Sequence, residues 1–108
     1  MSISVYIITF NEADKISDCI STVLWADEVI VADSNSSDET VEIAKKMGAT
    51  VINIPFNGFG DLRNQAVSHC NCEWIFSIDS DERCTPRVKE EILSVIKNSN
   101  HDIYKIPR

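Results

Sequence analysis

Three carboxylates fall within four positions at Asp79-Ser80-Asp81-Glu82, directly behind the apolar run Trp74-Ile75-Phe76-Ser77-Ile78. Like charges packed this closely repel one another, so the segment calls for a cation. Carboxylate oxygens at Asp79 and Asp81 are hard ligands that suit Mg²⁺ or Mn²⁺. Two of them leave several coordination positions open, which phosphate oxygens can fill. Two more polar clusters end apolar runs in the same way: Thr9-Phe10-Asn11-Glu12 and Asp33-Ser34-Asn35-Ser36. Asp33 can accept a hydrogen bond from a base N–H or a ribose hydroxyl. Arg63 is a permanent cation able to reach a diphosphate. Together these residues describe a nucleotide-diphosphate site with a metal clamp. Singly they have plainer readings: a solvated acidic turn at 79–82, turn chemistry at Asp33, and a solvated helix position for Arg63.

The elements that must position these clusters alternate. Residues 3–9, 28–33, 50–54 and 74–78 are rich in β-branched and aromatic side chains and read as buried strands. Between them, 11–26 carries Ile16, Cys19, Ile20, Val23 and Leu24 at helical spacing. Residues 34–48 carry Val41, Ile43, Ala44 and Met47, with Ser36 and Glu39 at capping-box spacing and Gly48 as the stop. A third helix is expected over 61–70 with Leu62, Ala66 and Val67 inward and Arg63 in its first turn. A fourth runs from Pro86 behind an N-capping Thr85, with Val88, Ile92, Leu93 and Ile96 as its stripe. Residues 102–107 begin a fifth strand.

This order predicts one α/β domain over residues 1–108: a Rossmann-like, doubly wound, mostly parallel sheet. With strand order 3-2-1-4, the ends carrying Thr9, Asp33 and Asp79 become neighbours, where ligands of open α/β sheets sit.

The bulk numbers are compatible with that domain and remove some alternatives. The 108 residues are 44% apolar, enough for a core, and the net charge of -7 argues against a nucleic-acid partner. No apolar stretch is long enough to span a bilayer, and the start lacks the pattern of a signal peptide. The four cysteines, Cys19, Cys70, Cys72 and Cys84, lack paired Cys-x-x-Cys spacing, which favours reduced cytosolic thiols over zinc or disulfides. An uncovered edge at the fifth strand makes self-association an expectation.

The segments "VYIITFNEADKISDCISTV", "DEVIVADSNSSDETVEIAKKMGATV", "PFNGFGDLRNQAV" and "CEWIFSIDSDERCTPRV" resemble, in order and spacing, the inverting family 2 glycosyltransferases of the GT-A fold. The nearest branch in this resemblance is the bacterial lipopolysaccharide-core β-1,4-glucosyltransferase type. The resemblance implies that Thr9, Asn11 and Glu12 close the nucleotide pocket, that Asp33 recognises the base, and that Arg63 lies near the donor phosphates. It further implies that Asp79 approaches the ribose or sugar and that Asp81, with Asp79, binds Mn²⁺ or Mg²⁺. The implied donor is a nucleoside-diphosphate sugar such as UDP-glucose, and the implied acceptor a lipopolysaccharide or other glycan. A cytoplasmic place, peripheral at the inner membrane, would follow. The family's catalytic base lies in a second half beyond the matched motifs, so the resemblance covers donor binding alone. Two rivals are a non-catalytic nucleotide-binding module and a haloacid-dehalogenase-type phosphohydrolase, which normally carries its Asp-x-Asp on an early strand.

Overall fold

The computed structural model describes residues 2–98 and 103–105. Five strands form one sheet in the order β3-β2-β1-β4-β5: β1 Ile3–Thr9, β2 Glu28–Asp33, β3 Thr50–Asn53, β4 Trp74–Asp79 and β5 Ile103–Lys105. Every pairing is parallel, as the continuous apolar strands require when helices cover both faces. The expected order 3-2-1-4 is present, with β5 added beside β4. Residues 102, 106 and 107 of the expected fifth strand lie outside the described residues.

Alternation along each strand sorts the core into two layers. On one face Val5, Ile7, Val31, Phe76 and Ile78 pack under α1 (Ile16–Ser21), α2 (Thr40–Lys46) and α4 (Pro86–Asn98), through Cys19, Ile20, Ala44, Ile92 and Ile96. On the other face Tyr6, Ile30, Ala32 and Ile54 pack against Leu62 and Ala66 of α3 (Phe59–Ser68). Among the described residues, no helix is long and apolar enough to cross a membrane.

Several local expectations are corrected. α1 is much shorter than 11–26, because Thr22 turns the chain out of the helix. Its hydroxyl donates to the Cys19 carbonyl at 2.7 Å, while the Trp25 indole N–H takes the Thr22 carbonyl at 2.9 Å. Val23 stays buried, but Leu24 is delivered to solvent. Ser36 and Glu39 do not form a capping box. Glu39 itself occupies the N-cap position without a side-chain cap, and Asp38 Oδ1 accepts the Thr40 N–H at 3.0 Å. α3 begins at Phe59, two residues before expectation, because Gly58 at φ 93° turns the chain into it; Arg63 therefore stands in the second turn. Leu93 is exposed, since Ile92 and Ile96 already fill the contact with the sheet. Gly48, at φ 90° with its N–H on the Lys45 carbonyl, stops α2 as expected. Thr85 likewise caps α4, its Oγ1 accepting the Val88 N–H at 3.2 Å.

Candidate functional site

Register fixes which strand ends meet. Thr9 of β1 stands opposite Asp33 of β2, and Ile8 stands opposite Asp79 of β4. With strands about 4.8 Å apart, Asp33 and Asp79 are separated by one strand, roughly 10 Å. Beyond these ends lies a cavity of about 510 Å³, within the usual range for small-molecule sites. It is lined by Thr9, Glu12, Ser34, Asp79, Ser80 and Asp81, with Ile8 and Leu62 at its apolar side and Phe10, Phe56 and Phe59 also in its wall. All three phenylalanines are more than half exposed, and Phe56 and Phe59 meet edge to face at 5.1 Å between centroids.

Two hydroxyls in this wall lack a partner among the described residues. Thr9 is 2% and Ser34 8% exposed, yet Thr9 Oγ1 and Ser34 Oγ make no hydrogen bond to any described residue. A buried, unpaired hydroxyl is costly and calls for water or a ligand. Nothing in the residue pattern singled out Ser34 as a lining group; its place directly behind β2 was the available signal.

The acidic turn is a folded unit. The Glu82 N–H donates to the Asp79 carbonyl at 2.9 Å, and Glu82 Oε1 accepts the Asp79 N–H at 2.8 Å. Arg83 supplies the positive charge within the protein. Its Nη1 donates to the Ser80 and Glu82 carbonyls at 3.2 and 2.8 Å, and its Nη2 lies 3.8 Å from Asp18. Glu82 and Arg83 thus hold the turn, leaving Asp79 and Asp81 on the cavity wall.

The residues fit a divalent cation of the Mg²⁺ or Mn²⁺ kind. Among the described residues no group of three or more His, Cys, Asp or Glu could hold a metal alone. Two carboxylates beside a cavity large enough for phosphates are the donor set of a cation completed by its substrate. Cys70 and Cys72 join no such group of three or more among the described residues. Burial pushes the Cys70 thiol up to about 11 and the Cys19 thiol up to about 12, so both stand as neutral thiols.

Asp33 and Asn11 are placed differently from Asp79 and Asp81. Asp33 is 2% exposed, and its Oδ2 accepts the Ser36 N–H at 2.8 Å while its Oδ1 accepts the Ser36 hydroxyl. It lines a second cavity of about 260 Å³ with Asn35, Ser36, Val41, Lys45, Val51 and Asn53. Asn11, at φ 50°, locks the loop after β1 to the loop after β2. Its N–H donates to Ser36 Oγ at 2.8 Å, and its Oδ1 accepts the Ser37 N–H at 2.7 Å. Arg63 is exposed and lies outside the lining of both cavities. Of the sequence-derived set, then, Thr9, Glu12, Asp79 and Asp81 share the large cavity, Asp33 faces the small one, and Asn11 ties the loops.

A family model described as glycosyl transferase family 2 matches residues 4–108. The chain belongs to that family. An uncharacterized glycosyltransferase of Rickettsia felis is 43% identical over 103 residues, covering 94% of this chain and 36% of the relative. Among solved structures, residues 1–349 of S. aureus TarS in complex with UDP superpose with a TM-score of 0.75 at 25% identity, over 90% of this chain and 32% of that one. Glucosyl-3-phosphoglycerate synthase from Mycobacterium tuberculosis, in complex with Mn²⁺, UDP and phosphoglyceric acid, shares the fold. Its TM-score is 0.77 at 23% identity, over 92% of this chain and 40% of that one. The chain therefore spans about a third of the length of the Rickettsia relative. These solved neighbours share the doubly wound parallel sheet of this chain.

Proposed function

We propose that residues 1–108 form the donor-binding part of a family 2 glycosyltransferase that uses a nucleoside-diphosphate sugar. The observation that carries this reading is the convergence of Thr9, Glu12, Asp79 and Asp81 on one cavity that also holds two unpaired buried hydroxyls. Asp79 and Asp81 hold a divalent cation against the diphosphate. Thr9 and Ser34 offer hydroxyls to the ribose or phosphates, and Asp33 receives the base. Arg63, on the exposed side of α3, approaches the phosphates only from outside the cavity wall. When bound, the cation supplies Lewis-acid stabilisation of the departing nucleoside diphosphate.

The transfer itself is proposed for the full protein. An acceptor hydroxyl displaces the nucleoside diphosphate at the anomeric carbon with inversion, and a base takes the hydroxyl proton. Glucose as the sugar, and a lipopolysaccharide or other glycan as acceptor, follow from the motifs "PFNGFG" and "DSDER" that resemble the lipopolysaccharide-core branch. That acceptor puts the protein in the cytoplasm at the inner face of the membrane.

Calorimetric titration of UDP-glucose into this chain tests the donor site, with and without Mn²⁺ and with Asp81→Ala. Binding that requires Mn²⁺ and vanishes in Asp81→Ala supports the reading. Binding that ignores both the metal and the substitution would refute the metal clamp.

A further inference from the structure

The small cavity is lined from two neighbouring strands. Asp33 and Asn53 are register partners on β2 and β3, so their side chains leave neighbouring strands on the same face, and both line the 260 Å³ cavity. Asp33 is an acceptor. Its two bonds to Ser36 occupy two of the about four lone-pair sites a carboxylate offers. Asn53 is oriented as a donor. Its Oδ1 accepts the Asn35 N–H at 3.1 Å, which turns the amide Nδ2 away from that bond, and Nδ2 has no hydrogen-bond partner among the described residues. An acceptor and a donor therefore stand side by side in the wall of one cavity, and Ser34, the residue after Asp33, lines the cavity of the proposed diphosphate site.

We infer that Asn53 is a specificity-determining residue for the donor base, giving an N–H to the carbonyl beside the ring N–H that Asp33 accepts. This rests on the donor-site reading above. The pair is complementary to an edge carrying N–H next to C=O, as in uracil and, in a purine, guanine. Cytosine and adenine present the reverse pattern, a ring-nitrogen acceptor next to an amino donor. Either of them leaves Asp33 facing a lone pair and Asn53 facing an amine. A site built on hydrogen bonds rejects such a mismatch because its own polar groups are left unpaired.

Asn53 is at a strand end and exposed, so substitution there spares the core. The test titrates UDP, CDP and GDP, each with Mn²⁺, into this chain and into Asn53→Ala, Asn53→Asp and Asp81→Ala. Asn53→Asp keeps the acceptor for the Asn35 N–H, removes the donor and adds a carboxylate, whose repulsion of the diphosphate acts on UDP and CDP alike and cancels in their ratio. The expected result is that both Asn53 variants weaken UDP by about three- to tenfold, the worth of one hydrogen bond, while CDP changes little. The UDP-to-CDP ratio then falls by that factor. Asp81→Ala weakens every diphosphate alike. GDP binding that shares the Asn53 sensitivity assigns the edge in general, and absent GDP binding narrows it to uracil; both support Asn53 as the reader. An unchanged UDP-to-CDP ratio, with Mn²⁺-dependent UDP binding intact, overturns the inference and leaves the donor site standing. No UDP binding to the unaltered chain removes both.

Discussion

The Glu82 carboxylate folds back to the end of the strand it follows, its Oε1 accepting the Asp79 backbone N–H at 2.8 Å. One of the three clustered acids is thus a brace for the turn, and the ligand candidates reduce to Asp79 and Asp81. Replacing Glu82 with Ala removes that brace without touching the cavity wall. A loss of about 1–2 kcal/mol is expected in urea unfolding, since an acceptor on a charged group is removed. Mn²⁺-dependent UDP binding should weaken about tenfold through misplacement of Asp79. Unchanged affinity in a destabilised variant would separate the brace from the site.

The Ser36 hydroxyl links Asn11 and Asp33, accepting the N–H of one and donating to the carboxylate of the other. Asn11 sits at φ 50°, a conformation Asn tolerates and Ala does not. Asn11→Gly keeps the backbone freedom and loses the Oδ1 bond to Ser37, whereas Asn11→Ala loses both. The expected order of stability is Asn11 above Gly above Ala, with about 1 kcal/mol between Gly and Ala. Equal losses in the two variants would show that the backbone conformation relaxes freely.

Sheet order and the identity of the strand ends were legible because continuous apolar runs alternating with periodic helices have few solutions. Thr9, Asp33 and Asp79 could be grouped from that alone. What sequence could not provide is the direction in which each side chain leaves its strand. Asp33 and Asp79 both end strands, yet they serve different cavities. Hydrogen-bond competition was equally hidden: Ser36 has capping-box spacing to Glu39 but is taken by Asp33 and Asn11. Helical periodicity counted Leu24 and Leu93 as core because it carries no information on where a turn ends the helix or which neighbour fills the layer first.

That contrast can be measured. Ile20 and Leu24 stand four residues apart, and only Ile20 is buried. Ile20→Ala should cost about 2–5 kcal/mol by removing core volume, and Leu24→Ala less than about 0.5 kcal/mol. Chemical denaturation of the two variants decides it. Comparable losses would mean that Leu24 is covered in solution.

Glu28 governs the opposite end of the sheet from the site. Burial pulls its pKa up, but the Asn71 backbone N–H, the Ser4 hydroxyl and the Asn71 amide outweigh that and hold it below the ordinary glutamate value. The three bonds are 2.9, 2.7 and 2.8 Å and join the starts of β1 and β2 to the segment before β4. A lowered folded-state pKa adds stability that is present above the unfolded pKa and lost as pH falls through the folded one. Glu28 is partly exposed, so solvent screening limits the contribution to about 1 kcal/mol. Unfolding free energies of the unaltered chain and Glu28→Gln, measured from pH 7 downward, should differ near neutrality and converge once pH has fallen through the lowered folded-state pKa. A difference that stays constant across this range would assign the effect of Glu28 to the shape of its hydrogen bonds and not to its charge.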